Sequence, residues 1–351
     1  MALLDAHTHV GTRDPDGFTA TTEELLGSLR LCGGRAVVFP MVEPGGYREP
    51  NLRCAREAAA SGGVLTAFAR LTPDQEPAAM LAEALAAGAR GVKLHASGDG
   101  FDLLDPRLEG VFSLAHERRL PVVLHAGPEL GSIGATVLSL CGRFPGMRAV
   151  MAHCALTDLM WLWRHVPATP NLFFDTSWWS VEHVMSLLRL VPPGRVLLAS
   201  DLPYGTPLQA AVCTLRCAVQ AGLDADQLRC VAGGQLARLL AGEDPLELGP
   251  APAQEARAMS PVLDVLTSSL YSVLEPMQRG ADPGTALDVV RHACRVADDD
   301  PDADVVASVR HLLDLYDERR GSLRRRNQFT PGRDLVLAAA FVARTPAAPL
   351  P

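Results

Sequence analysis

The stretch LLDAHTHV, residues 3–10, carries an acid and then two histidines one residue apart at the end of an apolar run. In an extended strand, residues i and i+2 share a face. His7 and His9 therefore project together with Asp5 below them, while Ala6, Thr8 and Val10 face the other way. Two imidazoles one strand step apart can share a cation, because the neutral ring is the commonest metal ligand among side chains. The same spacing also describes two polar residues reaching solvent at a strand end, so the rest of the chain has to decide.

Outward from this run the sequence alternates strand and helix. RAVVFP (35–40), VLTAFARL (64–71), RGVKLHA (90–96), LPVVLHAG (120–127), MRAVMAHCA (147–155), NLFFDTS (171–177) and RVLLASD (195–201) are short apolar runs rich in Val, Leu and Phe. Each reads as a buried parallel strand. The intervening segments have helical periodicity and several stop at Gly or before Pro. With the opening run there are eight strands, which predicts a parallel sheet with helices outside it.

Spacing tests whether the sheet closes. His7 and Lys93 are 86 residues apart, Lys93 and His125 are 32, His125 and His153 are 28, and His153 and Asp201 are 48. A closed eightfold barrel of roughly 250 residues needs about 31 per unit. The polar residues then fall at the carboxyl ends of strands one, four, five, six and eight, the face on which barrel active sites are built. The expected fold class is α/β, a (β/α)8 TIM barrel with a C-terminal α-helical extension. An open doubly wound sheet is the competing architecture, but no G-x-G-x-x-G fingerprint follows the first strand.

The residues at those strand ends suit one chemistry. His7, His9 and His125 offer three nitrogens to a divalent cation and Asp201 adds an oxygen. The mixed set suits Zn²⁺ best, with Mn²⁺ or Fe²⁺ as alternatives. A water held by such a cation loses a proton near neutral pH, and Asp201 is placed to take that proton and pass it on. His153 could polarise the scissile bond or hold a second metal. Lys93 could hold a substrate carboxylate as a point charge. His95, Glu43 and Tyr204 are expected at the pocket mouth as substrate-binding residues.

With DAHTH, GVKLH, VVLHAG, VMAHC and ASDLPYG in this order, the chain resembles the amidohydrolase superfamily, in its amidohydrolase-related (amidohydrolase 2) branch. The resemblance covers roughly residues 1–243 and includes VAGGQLARLLAG (231–242) as the family's closing helix. It implies a metal-dependent hydrolase of C–N, C–O or P–O bonds. It equally admits a non-oxidative decarboxylase of an unsaturated or aromatic acid, which would grip the carboxylate with Lys93 or an arginine. In some superfamily members the strand-four lysine is carboxylated and bridges two metals, which Lys93 permits without requiring. The loops here are short, which favours hydrolysis of a small amide, lactone or ester. A metal-free barrel serving as a binding protein is the third reading, and it would need an incomplete ligand set.

Beyond residue 243 the texture changes. Residues 244–256 are rich in Pro and Gly and read as a linker. Residues 257–345 form a helical region, with amphipathic helices at about 257–278, 284–297, 303–319 and 333–344. It should pack on the barrel or on a second copy of the chain as a homodimer, and the closing TPAAPLP is expected to be disordered.

Composition excludes other classes. The chain has 351 residues, is 48% hydrophobic and 21% charged, and carries a formal net charge of -8. It is globular, and the acidic balance argues against nucleic acid or an anionic membrane as partner. Arg324–Arg326 is the longest basic run and too short to change that. No signal peptide or membrane span is apparent, and eight scattered cysteines without C-x-x-C suit reduced thiols. A small-molecule substrate and a cytoplasmic location are the expectations.

Overall fold

The computed structural model describes residues 3–129, 131–252, 260–323, 325 and 327–351. The last part of the expected linker, the start of the first tail helix, Arg324 and Arg326 lie outside these residues.

The strands are β1 (Leu4–Val10), β2 (Arg35–Pro40), β3 (Leu65–Ala67), β4 (Ala69–Arg70), β5 (Val92–Leu94), β6 (Pro121–Leu124), β7 (Arg148–Met151), β8 (Leu172–Asp175) and β9 (Val196–Leu197). All pair in parallel and in chain order, β1 to β3 in one sheet and β4 to β9 in another. β3 and β4 are two halves of one barrel strand interrupted at Phe68, whose N–H still donates to Val38 O at 2.9 Å. The seam between β9 and β1 is closed by Ala6 N–H to Leu198 O at 2.9 Å, Asp201 N–H to His7 O at 2.8 Å and His9 N–H to Leu202 O at 2.8 Å. The result is the eight-stranded parallel barrel that the alternation predicts, with its helices outside.

Local chemistry fixes the helix ends. Thr21 caps the helix Thr22–Cys32 in a reciprocal box with Glu24, and Gly33 ends it in the left-handed conformation that costs glycine nothing. Inside the barrel, Val37, Phe39, Phe68, Val123, Val150, Phe173 and Leu197 form one buried cluster. Leu236 and Leu239, from the short helix Gln235–Leu240, pack against it. Gln235 Nε2 donates to Gly194 O, just before β9, which places this plug at the amino-terminal end of the strands. The interior is therefore solid, and chemistry is confined to the opposite rim. Truncating a packed ring such as Phe173 to Ala would cost ~3–5 kcal/mol.

One register detail departs from the strict alternation read in β1. Asp5 pairs with Ala36 and Thr8 with Val38, so three steps along β1 match two along β2. A bulged strand of this kind lets neighbouring residues face the same way. Ala6 consequently joins the barrel interior, although alternation set it opposite His7. Asp5 turns back to the chain, and its Oδ1 accepts the N–H groups of His7 and Ser200, each at 3.0 Å.

The tail helices are Pro261–Gln278, Ala286–Ala293, Ala303–Arg319 and Arg333–Arg344. They share a continuous hydrophobic core with the barrel's outer helices, through residues such as Leu337, Phe341, Val184 and Cys217. Polar ties reinforce the seam: Tyr271 accepts the N–H of Val181 at 2.6 Å and Arg344 donates to Glu182 at 2.6 Å. The closing residues are not loose, contrary to the expectation for TPAAPLP. Arg216 donates to Thr345 Oγ at 3.0 Å and to Thr345 O at 3.2 Å, Ala347 N–H reaches Gln220 at 2.7 Å, and Ala348 is buried. Small residues and prolines can dock where partners wait for their backbone, which composition does not disclose. No helix among the described residues is long and apolar enough to cross a membrane.

Candidate metal centre

At the carboxyl rim, His7 Nε2, His9 Nε2 and Asp201 Oδ1 form a triangle with every side 3.2 Å. Donor atoms held about 2.0–2.1 Å from one cation in tetrahedral directions stand roughly 3.3 Å apart. The spacing fits a single divalent ion.

The opposite edge of each imidazole decides which atom faces the centre. His7 Nδ1 lies 2.8 Å from Asp175 Oδ2, and a carboxylate only accepts, so Nδ1 carries the hydrogen. His9 Nδ1 lies 3.3 Å from Pro40 O, with the same consequence. Both Nε2 atoms are thereby assigned as lone pairs pointing inward. Asp201 Oδ1 also points there and has no hydrogen-bond donor among the described residues. Lys93 Nζ can serve His7 Nε2, but His9 Nε2 and Asp201 Oδ1 still face acceptors, and a cation resolves that repulsion. Imidazoles oriented from behind by a carboxylate and a backbone carbonyl are the usual supporting shell of a metal ligand.

Burial tunes these groups. It holds the rings of His7 and His9 well below their ordinary range, with Lys93 adding to the effect at His7. Both rings stay neutral, the form that binds metal. Lys93 is fully buried with Nζ 3.1 Å from His7 Nε2, and burial lowers its ammonium to about 8. Burial drives the Asp201 carboxyl well above its usual range, although Lys93 pulls the other way. A bound cation would restore the carboxylate.

His125 is not in this triangle. Its Nδ1 faces His153 Nε2 at 3.1 Å, its Nε2 bonds Glu129, and its ring stacks on His95 with centroids 3.7 Å apart. His125, His95 and Glu129 make a second group of three ligand-type side chains beside the first. His153 Nδ1 is 2.8 Å from Ser177 O and 4.0 Å from Asp201 Oδ2, and burial takes its ring down to about 3. The expected four-ligand set is thus divided, with three members in the triangle and His125 one step away.

The remaining sequence candidates separate too. His95 and Tyr204 line a cleft of about 640 Å³ over the triangle, together with His9, His125, His153 and Asp201. Glu43 does not line it. Glu43 is buried behind the rim, 3.4 Å from Arg53 Nη2. A short loop after β2 turns it inward, while Met41 and Val42 face the cleft.

Three contributors were not singled out in the sequence. Asp175 ends β8 and binds His7, and its Oδ1 also accepts the N–H groups of His153 and Ser177, each at 3.0 Å. Arg70 ends β4, lines the cleft, and donates to both oxygens of Asp99 at 3.0 Å. Glu129, half-buried on the loop after β6, is drawn down to about 2 chiefly by its bond to His125. Asp175 and Arg70 were each visible as a charge closing an apolar strand. Glu129 had no such signal. Gly127 permits its approach, because a Cβ there would stand 2.6 Å from His125 Nε2.

The rim also holds backbone strain. Asp201 (φ 56°) and the run His153, Cys154 and Ala155 (φ 55°, 57° and 47°) all adopt the left-handed region. Such conformations cost of order 1–3 kcal/mol each in non-glycine residues and gather where side chains must be aimed.

An eight-stranded α/β barrel with this imidazole–carboxylate rim defines the class of TIM-barrel enzymes. A family model described as Amidohydrolase matches residues 5–240, and the chain belongs to that family. Among solved structures it is similar to an uncharacterised TIM-barrel protein from Bordetella bronchiseptica, at 16% identity and a TM-score of 0.55 over 69% of this chain and 99% of that one. It is similar to 2,6-dihydroxybenzoate decarboxylase from Rhizobium, at 14% identity and a TM-score of 0.55 over 68% and 98%. It is also similar to a probable 2-pyrone-4,6-dicarboxylic acid hydrolase from Acinetobacter baumannii, at 15% identity and a TM-score of 0.53 over 69% and 100%. A comparison with curated protein sequences finds no match. At these identities the likeness speaks for the fold, and the neighbours' reactions differ from one another.

Proposed function

We propose that the protein is a metal-dependent hydrolase that cleaves a C–N or C–O bond of a small amide, lactone or ester. The observation that carries this reading is the triangle of three inward lone pairs, two of them on imidazoles whose other nitrogens are already committed. His7, His9 and Asp201 would hold the ion, and His125 stands next in reach. A bound divalent ion, Zn²⁺ by the donor set, acidifies a water and polarises a carbonyl.

The chain's own residues supply the rest. Asp201 is the general base, taking the proton of the attacking water and handing it to the leaving group. His153, neutral and held by Ser177, faces the same space and orients the scissile group. Lys93 keeps a positive charge against His7 and Asp201, and a carboxylated Lys93 would instead be a further ligand. His95 and Tyr204 bound the substrate. In this reading residues 1–243 carry the chemistry and residues 257–345 cover part of the site.

Decarboxylation needs a cation to grip the carboxylate. Arg70 is engaged bidentately by Asp99, and Lys93 sits under His7 at the floor of the site, which supports hydrolysis. The test is elemental analysis of the purified protein, then chelation and metal return, with turnover scored both for hydrolysis and for CO2 release. Loss and recovery of hydrolysis is the expected result. An active preparation without metal overturns the reading, and CO2 as the product moves it to decarboxylation.

A further inference from the structure

A second cavity, of about 240 Å³, lies between the barrel rim and the tail. Its barrel side includes Thr176 after β8 and Gln209 and Ala210 on the helix Pro207–Gln220, and its tail side Gln278, Leu337 and Phe341. It shares Trp178, Asp201 and Tyr204 with the cleft over the metal triangle, so the two spaces meet at the proposed base.

Two features of this cavity ask for a ligand. The side chains of Gln209 and Gln278 both line it, and Gln209 Oε1 and Gln278 Nε2 are buried with no hydrogen-bond partner among the described residues. An unpaired buried amide end is costly, and here one acceptor and one donor belong to side chains that line the same space. Gln278 is fixed at its oxygen, Oε1 accepting from Arg333 at 3.0 Å, which leaves its NH₂ as the end available to a ligand. The second feature is charge. Among the described residues, Asp201 is the one charged side chain that lines the cavity. A charged substrate group would find no counterion there.

We propose that this cavity is the substrate's side-group pocket, taking one uncharged ring that bears a carboxamide. The ring packs against Trp178, Leu337 and Phe341. The carboxamide carbonyl accepts from Gln278 Nε2 and its N–H donates to Gln209 Oε1. The size is right, since a cavity of about 150 Å³ already holds benzene. The tail thereby sets specificity for a reaction carried out entirely by barrel residues. This rests on the hydrolase reading for its link to turnover, but binding itself can be measured apart from turnover.

The probe is benzamide, followed by ligand-observed NMR on the full-length, chelator-treated protein, with toluene as the control lacking the amide. Wild type should bind benzamide at millimolar or lower concentration and toluene at least tenfold more weakly. Ala210→Phe fills the cavity from a half-buried helix position and should abolish binding. Gln209→Leu removes the acceptor, and among the described residues no hydrogen bond of its side chain is lost; it should weaken benzamide about tenfold and leave toluene unchanged. No benzamide binding by wild type, or binding indifferent to Ala210→Phe, overturns the pocket. Binding that Ala210→Phe removes but Gln209→Leu does not touch overturns the carboxamide recognition. Because no metal or turnover enters the readout, failure of the hydrolase reading would appear separately, as metal-independent activity or none.

Discussion

Two groups of three metal-competent side chains stand side by side on the barrel rim, and they differ in what their atoms lack. In His7, His9 and Asp201 three inward acceptors converge, and the donor beside them is Lys93 Nζ, 3.1 Å from His7 Nε2, which leaves His9 Nε2 and Asp201 Oδ1 facing acceptors. In His95, His125 and Glu129 most demands are met by neighbours, the exception being His125 Nδ1, which faces His153 Nε2 at 3.1 Å. His95 Nδ1 accepts the N–H of Gly98 at 3.0 Å, and His125 Nε2 bonds Glu129. Composition and proximity alone would rate the groups alike. The hydrogen-bond ledger separates them: a ligand set is recognised by unsatisfied lone pairs and by the partners that leave them so.

The sharpest way to break that comparison is to remove one lone pair. His7→Ala should empty the metal site and abolish turnover, with partial recovery at high added metal. Elemental analysis reads the first outcome and a metal titration of rate reads the second. Full metal retention in this variant would mean that the triangle is not the binding site.

Asp201→Asn probes chemistry rather than binding. The amide oxygen can still face the ion but cannot take a proton at neutral pH. With His7 and His9 in place, metal content should fall far less than in His7→Ala, while kcat falls by roughly 10²–10⁴. Near-normal kcat with full metal would move the base to His153 or His95.

Asp175 acts from behind. Asp175→Asn can offer either an oxygen or an NH₂ to His7 Nδ1, so the tautomer is no longer enforced. The same substitution weakens an acceptor that also holds His153 and Ser177 in place. Metal affinity should drop about 10–100-fold, the usual worth of such a partner. A competition titration with a chelating dye measures it. An unchanged affinity would show that Pro40 and His9 suffice to orient the site.

Much of this rim was legible from order and spacing, because a parallel barrel brings strand ends to one face however far apart they lie in sequence. His7, His9, Lys93, His125, His153 and Asp201 all arrive there. What was not legible depends on shifts of a single residue. The β1 bulge changes which of Asp5, Ala6 and His7 face inward, and no residue type announces it. Glu43 lies one residue beyond the rim loop's cleft-facing pair and turns to Arg53 instead. Asp175 and Arg70 obey the rule that exposed the histidines, but a single charge closing an apolar run carries no ligand pattern of its own. Whether His125 joins His7 or His153 depends on ångström-scale ring placement, which periodicity does not carry. The tail's docking likewise depends on complementary surfaces on two distant segments.

The smallest expected effect belongs to Glu129, and it tests the closed group. Glu129 sits half-buried on a loop, and its carboxyl is drawn to about 2 mainly by the bond to His125. The ring of His125 is itself held below its ordinary range by burial, with the Glu129 bond opposing. At neutral pH the contact is therefore a neutral imidazole N–H donating to a carboxylate. A carboxyl with a depressed folded-state pKa stabilises the fold above its unfolded value of 4.5 and loses that contribution as pH falls toward 2. Solvent reaches the group, so the contribution should be under ~1 kcal/mol. Glu129→Ala should lower Tm slightly at pH 7, with the difference from wild type shrinking below about pH 4.5. Metal content should not move. If Glu129→Ala instead loses metal as His7→Ala does, the second group is part of the ligand set and the distinction between open and closed groups fails.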